Sequence, residues 1–427
     1  METQNYIHTL IMFQGILMCI DAYFLMNWTR LAKERRWHPL SYRLAWFVSG
    51  ILFIFLFSQL IQRLDGAETS ELDYYLFVAA NIWIIPKLII VPALLFKNSI
   101  HGIVRKASKI FRRKGESQSE DENALAAIAH PSRRKFLQNV GWVAAGIPFA
   151  ATAYGAINTI YDYKVYRIDV PIWNLPPSMD GLKIVQLSDV HSGSFPSKST
   201  FFEIVRMVNS LNPDFIVITG DFVNNNYREL ELTRDGFAAM KAKYAVLGSL
   251  GNHDHYTGEH GHEQLKQILM YSNVGLLVNE SRSFEINGET IQFCGVDCDI
   301  SRRTFMDLDA AMAKLRPEKP TVLLCHDPRE WDKKIRGHGI PLVLSGHTHG
   351  GQIGIEAGDN VISPVKLIYK QFAGLYQSGN EYLYVNRGVG TVGPPVRIGI
   401  NPEIALITLK SGLISNQPKD TIIDNRN

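Results

Sequence analysis

Apolar residues follow two different patterns along this chain. Over the first hundred positions they form three long stretches, about 6–28, 44–61 and 74–96, each with roughly the ~20-residue length that crosses a bilayer as a helix. Pro86, Lys87 and Pro92 interrupt the third, and Lys87 is expected either to face the other helices or water, or to snorkel from a kinked helix. Beyond about residue 166 the apolar residues come instead as short runs, at 182–187, 215–219, 244–250, 291–295, 321–325, 341–344, 382–386 and 404–409. Their length and Val/Ile content predict buried strands. Helical patterns lie between several of them. The segment 198–211 carries Phe201, Phe202, Val205, Val208 and Leu211 at helical spacing, with Ser199 or Thr200 placed to cap it. Strands alternating with helices predict an α/β domain whose site lies at the strand termini.

Charge orients the apolar part. Arg30, Lys33, Arg35, Arg36 and Arg43 lie between the first two stretches, against Glu34 alone. Asp65, Glu68, Glu71 and Asp73, against Arg63, lie between the second and third. A basic segment from Lys97 to Lys135 follows. Basic loops stay cytoplasmic, so the N-terminus is expected outside and the third stretch is expected to end inside. The two inner segments hold 15 basic and 5 acidic residues, so a chain of net charge +3 leaves about −7 for everything else. The basic excess therefore belongs to membrane topology, and nucleic-acid binding is not expected.

Residues 115–123 are polar and charged and read as a flexible linker. Ser132-Arg133-Arg134-Lys135-Phe136-Leu137, followed by an Ala/Gly-rich apolar run over 140–157, resembles a twin-arginine export signal, although such signals normally begin a protein. The alternative is a fourth membrane helix with a basic flank. Either way the next domain is expected on the extracytoplasmic side. The expected order is a three-span anchor over 1–97, a basic and polar linker over 98–131, the signal or fourth helix over 132–160, a domain over 161–410 and a polar tail over 411–427.

Five short strings carry the chemistry: Asp189-Val190-His191, Gly220-Asp221-Phe222-Val223-Asn224, Gly251-Asn252-His253-Asp254, Cys325-His326-Asp327 and Gly346-His347-Thr348-His349. Each follows an apolar run, where a buried strand would end at a pocket. Carboxylate, amide oxygen and imidazole together suit Mn, Fe or Zn, and two such ions ~3.5–4 Å apart can clamp the attacking and leaving oxygens of a phosphate. No thiolate is needed. The strings therefore point to hydrolysis of a phosphate ester at a dinuclear metal centre.

In these five strings, and in Tyr384-Val385-Asn386-Arg387-Gly388-Val389-Gly390-Thr391, the chain over about 182–409 resembles the calcineurin-like metallophosphoesterases. Within that family it is most similar to bacterial membrane-linked or exported members with a twin-arginine signal. The resemblance implies a four-layer α/β/β/α sandwich behind the helical transmembrane region. It implies two divalent ions, one held by Asp189, His191 and His349 and the other by Asn252, His326 and His347, with Asp221 bridging both. It further implies that metal-bound hydroxide attacks phosphorus in line while His253, oriented by Asp254, acts on the leaving group. Asn224-Asn225 stands where Asp-Arg often occurs in relatives, which removes a common substrate-side arginine. Arg387 is a candidate for reaching substrate.

Other motifs are weaker. The glycine-rich 388–393 segment has no Gly-Lys-Ser/Thr and so does not read as a phosphate-cradling loop, and no Gly-x-Ser-x-Gly nucleophile occurs. His255, His260 and His262 are expected on a solvated loop. Cys294 and Cys298 are too far apart along an extended strand to pair and read as buried free thiols. Two other classes compete with the enzyme: a metal-binding membrane or cell-wall protein without turnover, and part of a channel. A leaving-group histidine argues against the first, and the scarcity of polar residues in the apolar stretches against the second. A membrane-tethered, exported enzyme would meet phospholipid head groups, wall polymers or nucleotides, diesters more than monoesters.

Overall fold

The computed structural model describes residues 2–64, 70–112, 131–301, 303–357 and 360–412. Contacts divide the chain into two units, Met1–Ala67 with Leu72–Tyr154, and Glu68–Glu71 with Gly155–Asn427. Of the expected linker over 98–131, residues 113–130 lie outside the described residues, as do residues 413–427 of the expected tail over 411–427.

The first unit is helical: α1 (Glu2–Glu34), α2 (Leu40–Leu64), α3 (Glu71–Arg112) and α4 (Pro131–Ile157), which runs on into the second unit. Among the described residues, three windows are long and apolar enough to cross a membrane: 11–34, 40–59 and 71–100. Helix α3 continues past the expected end of its apolar stretch through Arg112, because nothing but Gly102 interrupts the helix formers there. Large apolar side chains such as Phe47, Ile54 and Phe96 face outward, whereas Leu56, Ala80 and Ile84 form a small interior cluster.

Lys87 does not snorkel. It is fully buried and ion-paired with Asp21 of α1, whose other carboxylate oxygen accepts from Ser49 Oγ of α2. The Lys87 ammonium also sits 3.7 Å from the Trp83 ring centroid. Three helices thus share one buried polar node, where each charge is satisfied by the other.

The second unit contains two six-stranded sheets. In the first, β1 (Lys164–Ile172), β2 (Lys183–Leu187), β3 (Phe215–Thr219), β4 (Ala245–Ser249), β5 (Gly275–Leu276) and β14 (Glu403–Ser411) are ordered β1-β14-β2-β3-β4-β5. In the second, β6 (Glu280–Ile286), β7 (Glu289–Gly295), β8 (Thr321–Leu324), β9 (Leu342–Ser345), β12 (Gly374–Ser378) and β13 (Glu381–Val385) are ordered β12-β13-β9-β8-β7-β6. A small hairpin pairs β10 (Ile355–Ala357) with β11 (Asn360–Ile362). The inner strands β2, β3 and β4 run parallel, as do β7, β8, β9 and β13, so their C-terminal ends gather together within each sheet.

Alternating burial faces produce four layers. Ile184, Phe215, Val217 and Leu247 of the first sheet pack with Phe293, Val322, Leu342 and Leu344 of the second, forming a core between the sheets. The outer face of the first sheet packs on α5 (Lys198–Ser210), α6 (Arg234–Ala238) and α7 (Gly258–Tyr271) through Phe201, Val205, Phe237 and Leu265. That of the second packs on α8 (Leu308–Met312) and the helical turn Trp331–Ile335. The fold is the α/β/β/α sandwich expected.

Replacing Lys87 by Met should leave Asp21 buried and unpaired, a destabilisation of about 3–5 kcal/mol. The double variant Asp21→Leu with Lys87→Met should recover most of that loss in thermal unfolding of the detergent-solubilised chain. Equal losses in single and double variants would show that the pair does not hold the bundle.

Candidate metal centre

Every predicted string lies just beyond the C-terminal end of a strand. Asp189 and His191 follow β2, Asp221 follows β3, Asn252 and His253 follow β4, His326 follows β8, and His347 and His349 follow β9. The backbone is turned sharply to aim these side chains. Asp189, His191, Asp221, His347 and His349 all have left-handed φ, from 43° to 71°. Such a conformation is costly outside glycine and persists only where the surroundings enforce it. Gly220 supports the Asp221 turn from φ 82°, where a Cβ would collide with His326 Nδ1. Gly251 meets the Asp221 carboxylate in the same way.

The result is one buried cluster. Ligand-type atoms converge in three overlapping groups, Asp189–His191–His349, His191–Asp221–His253 and Asp221–His326–His347, with the atoms of each group within 4.8 Å of one another. His349 Nε2 is 3.2 Å from Asp189 Oδ1 and 3.1 Å from His191 Nε2. Asp221 Oδ2 lies 3.1 Å from His326 Nε2 and 3.6 Å from His191 Nε2.

Hydrogen bonds on the far side of each ring fix which nitrogen is free. The Thr219 carbonyl can only accept, so His326 donates Nδ1–H to it at 2.7 Å and turns Nε2 inward. His347 Nε2 is 2.9 Å from the Tyr369 hydroxyl, which turns Nδ1 inward, 3.2 Å from His326 Nε2. The two facing nitrogens are close enough to share a proton or to bind one metal ion. Asn252 Oδ1 is likewise buried and without a partner among the described residues, while its Nδ2 donates to the Tyr256 hydroxyl. These donors fit divalent metal ions in chemistry and in direction.

Charge points the same way. Asp189 and Asp221 are both buried, which alone would raise their pKa values, yet the surrounding imidazoles hold both well below the usual carboxylate range. Burial would lower the His326 pKa, but Asp221 outweighs it and draws the imidazole up to about 10. His347, pressed by burial and by His326, falls to about 4. The pocket is an anionic site that takes up positive charge.

Three sequence expectations need correction. Asp254 does not touch the His253 ring. Its carboxylate accepts from the backbone N–H groups of Gly251, Asp221, Phe222 and Val223 at 2.8–3.3 Å, so it braces the Asp221 loop. Burial and the Asp221 charge push its carboxyl up to about 8, while the backbone donors pull the other way. The His253 ring is held instead by Nδ1–H donated to the Asn224 carbonyl at 2.6 Å, which leaves Nε2 free. Arg387 does not reach toward substrate: it is buried, 2.9 Å from Glu403, and stacks 4.5 Å from the Tyr166 ring centroid. The His255 side chain is not solvated either, being paired with Asp297 at 2.7 Å and stacked between His262 and Phe305. Cys294 and Cys298 are free and buried.

Several supporting residues carry no legible sequence signal. Glu229 accepts from the backbone N–H groups of Gly193, Asn224, Asn225 and Asn226 and so shapes the loop beneath His253. Arg397, fully buried, donates to the carbonyls of Arg387, Gly388 and Gly390 and lies 3.5 Å from His349 Nδ1. Both act through the backbone, which no motif records.

Asp254→Ala should strand four buried N–H groups, at about 1–3 kcal/mol each before relaxation, and release the Asp221 loop. The expected outcome is lowered metal content by elemental analysis with a clear drop in Tm. Unchanged metal content would show that the loop holds its geometry without this carboxylate.

Comparison with known proteins agrees with this geometry. Residues 7–159 match the family described as probable calcineurin-like phosphoesterase, transmembrane domain, and residues 182–351 match calcineurin-like phosphoesterase. The "Transmembrane protein with metallophosphoesterase domain" of Danio rerio is 30% identical over 417 residues, covering 94% of this chain and 89% of the relative. The "Uncharacterized metallophosphoesterase YkuE" of Bacillus subtilis is 31% identical over 287 residues, covering 66% of this chain and 98% of the relative. A solved dimetal phosphatase from Danio rerio aligns over 54% of this chain and 93% of its own at 11% identity, with a TM-score of 0.34, too distant to argue from. Relatives from vertebrates and bacteria both match, so the likeness does not single out a bacterial exported subgroup. A buried Asp/His cluster at the strand ends, joined to an N-terminal helical region, thus places this chain in the calcineurin-like metallophosphoesterase family with an N-terminal transmembrane domain, as a membrane-associated, metal-dependent phosphoesterase.

Proposed function

We propose that this protein hydrolyses a phosphodiester at the extracytoplasmic face of the membrane, using two divalent ions. Asp189, His191 and His349 would hold one ion, Asn252, His326 and His347 the other, and Asp221 both. The observation that carries this reading is the pair of inward-turned imidazole nitrogens, His326 Nε2 and His347 Nδ1, 3.2 Å apart beside the Asp221 carboxylate. When bound, such ions polarise phosphate oxygens and lower the pKa of water to near neutrality.

The chain's own groups supply the rest. Asp221 and Asp189 set the charge of the pocket, and their turns are held by Asp254 and by the His347 N–H, which donates to Asp189 at 3.0 Å. His253 is half-buried at the edge of the cluster, its ring 4.8 Å from that of His191. With Nδ1–H fixed on Asn224, its Nε2 is placed to give a proton or hydrogen bond to a departing oxygen. A diester suits a site without a second strong anion-binding arginine: the Arg387 guanidinium is committed to Glu403. The transmembrane-domain match runs to residue 159 and so takes in α4, which supports reading α4 as a fourth span rather than a cleaved signal. Together with the basic loops, four spans put the catalytic domain outside. That location would bring the site to lipid or cell-wall phosphate esters.

The full chain, stripped of metal and reloaded with Mn, Zn or Fe, should regain hydrolysis of bis(p-nitrophenyl) phosphate in preference to p-nitrophenyl phosphate. Asp221→Asn should lose both metal and turnover. His253→Ala should keep the metal yet lose about 10²–10⁴-fold in kcat for an alkyl ester, and less for the better p-nitrophenyl leaving group. A folded chain that binds no metal would sink the mechanism, and a preference for the monoester would overturn the diester assignment.

A further inference from the structure

The hairpin β10–β11 and the turn after it expose an aliphatic surface that the catalytic reading leaves unused. Ile355 and Ile362 are direct cross-strand partners, 66% and 62% exposed. Leu367 and Ile368, on the turn that follows, are 91% and 72% exposed, and Lys366 beside them is exposed too. The opposite face of the hairpin is anchored: Glu356 Oε1 accepts from Tyr166 and lies 3.7 Å from Arg387 Nε, and Ser363 Oγ donates to the Ile353 carbonyl. The apolar side chains therefore point outward from a fixed base. The same turn supplies Tyr369, whose hydroxyl meets His347 Nε2 at 2.9 Å.

We propose that Ile355, Ile362, Leu367 and Ile368 dock the catalytic domain on a lipid bilayer, seating the rim of the metal centre at the head-group layer. Two observations favour lipid over protein. The chain is membrane-associated through its own transmembrane domain, so a bilayer is always at hand. The patch joins exposed aliphatic side chains to a flanking lysine, the pairing of acyl-facing and head-group-facing residues that interfacial membrane binding uses, whereas protein interfaces are depleted in Lys. Docking here presents lipid-borne phosphate esters to the site next to Tyr369. This substrate class rests on the phosphoesterase reading; the docking itself does not.

The test uses the full chain in vesicles of phosphatidylcholine and phosphatidylglycerol, with Cys19→Ser as background, since the other cysteines are buried. A bimane label is placed at Ile368→Cys, at Ile362→Cys and, as a control, at the exposed Lys314→Cys. Nitroxide-bearing lipids should quench the first two several-fold more than the control, and adding Leu367→Asp should bring the Ile368→Cys label down to the control level. Quenching equal to the control overturns the proposal. So does shielding from aqueous iodide without lipid quenching, which would mean that a second copy or another protein covers the face. Hydrolysis assays play no part in this readout, so it fails independently of the enzyme reading.

Discussion

Two carboxylates, Asp189 and Asp221, sit at the centre of this domain with almost no access to water. An anion buried in that way is tolerable only if something positive or hydrogen-donating meets it on every side. The surrounding architecture answers that demand. Backbone N–H groups of His347 and His253 donate to the two carboxylates, and five imidazoles crowd their remaining faces. Left-handed turns bring those rings into position, and buried carboxylates and a guanidinium behind them hold the turns. Divalent cations complete the balance. Fold, strain and chemistry are consequences of a single electrostatic requirement.

The candidate ligand positions were legible because their chemistry is carried by residue type and their location by the strands before them. Asp, Asn and His after a β-branched apolar run leave few other readings, and every such string lands at the cluster. The strand runs were legible for a similar reason, since burial on both faces forces an unbroken apolar segment. What the sequence could not show was which atom each supporting side chain would touch. Asp254 follows His253 directly, yet its carboxylate turns back to the Asp221 loop, and the His253 ring is held by a main-chain carbonyl. Arg387 stands beside a glycine-rich loop near the site, yet Glu403, arriving from a distant strand, takes its charge. His255 follows the motif in a polar segment, and only the fold supplies Asp297 to bury it. Contacts made through tertiary arrival or through the backbone leave no local pattern.

The two units solve the same problem with different means. The catalytic unit buries charge among many donors, with main-chain groups contributing most of them. The helical unit has its main chain occupied by helix hydrogen bonds, so its buried Lys87 must be met by side chains alone: Asp21 and the rings of Trp83 and Phe24. That gives the bundle a strongly specified polar node amid its largely apolar packing.

That node also bears on how the chain is made. Asp21 emerges from the ribosome 66 residues ahead of Lys87. A helix carrying an unmatched carboxylate at mid-depth is a poor candidate for release into lipid by itself. The first two helices would then be retained at the insertion machinery until the third is synthesised, and all three would partition as a preassembled group. Biogenesis of a chain anchored through these helices would in that sense be cooperative, with the order of translation setting when the anchor becomes a membrane domain.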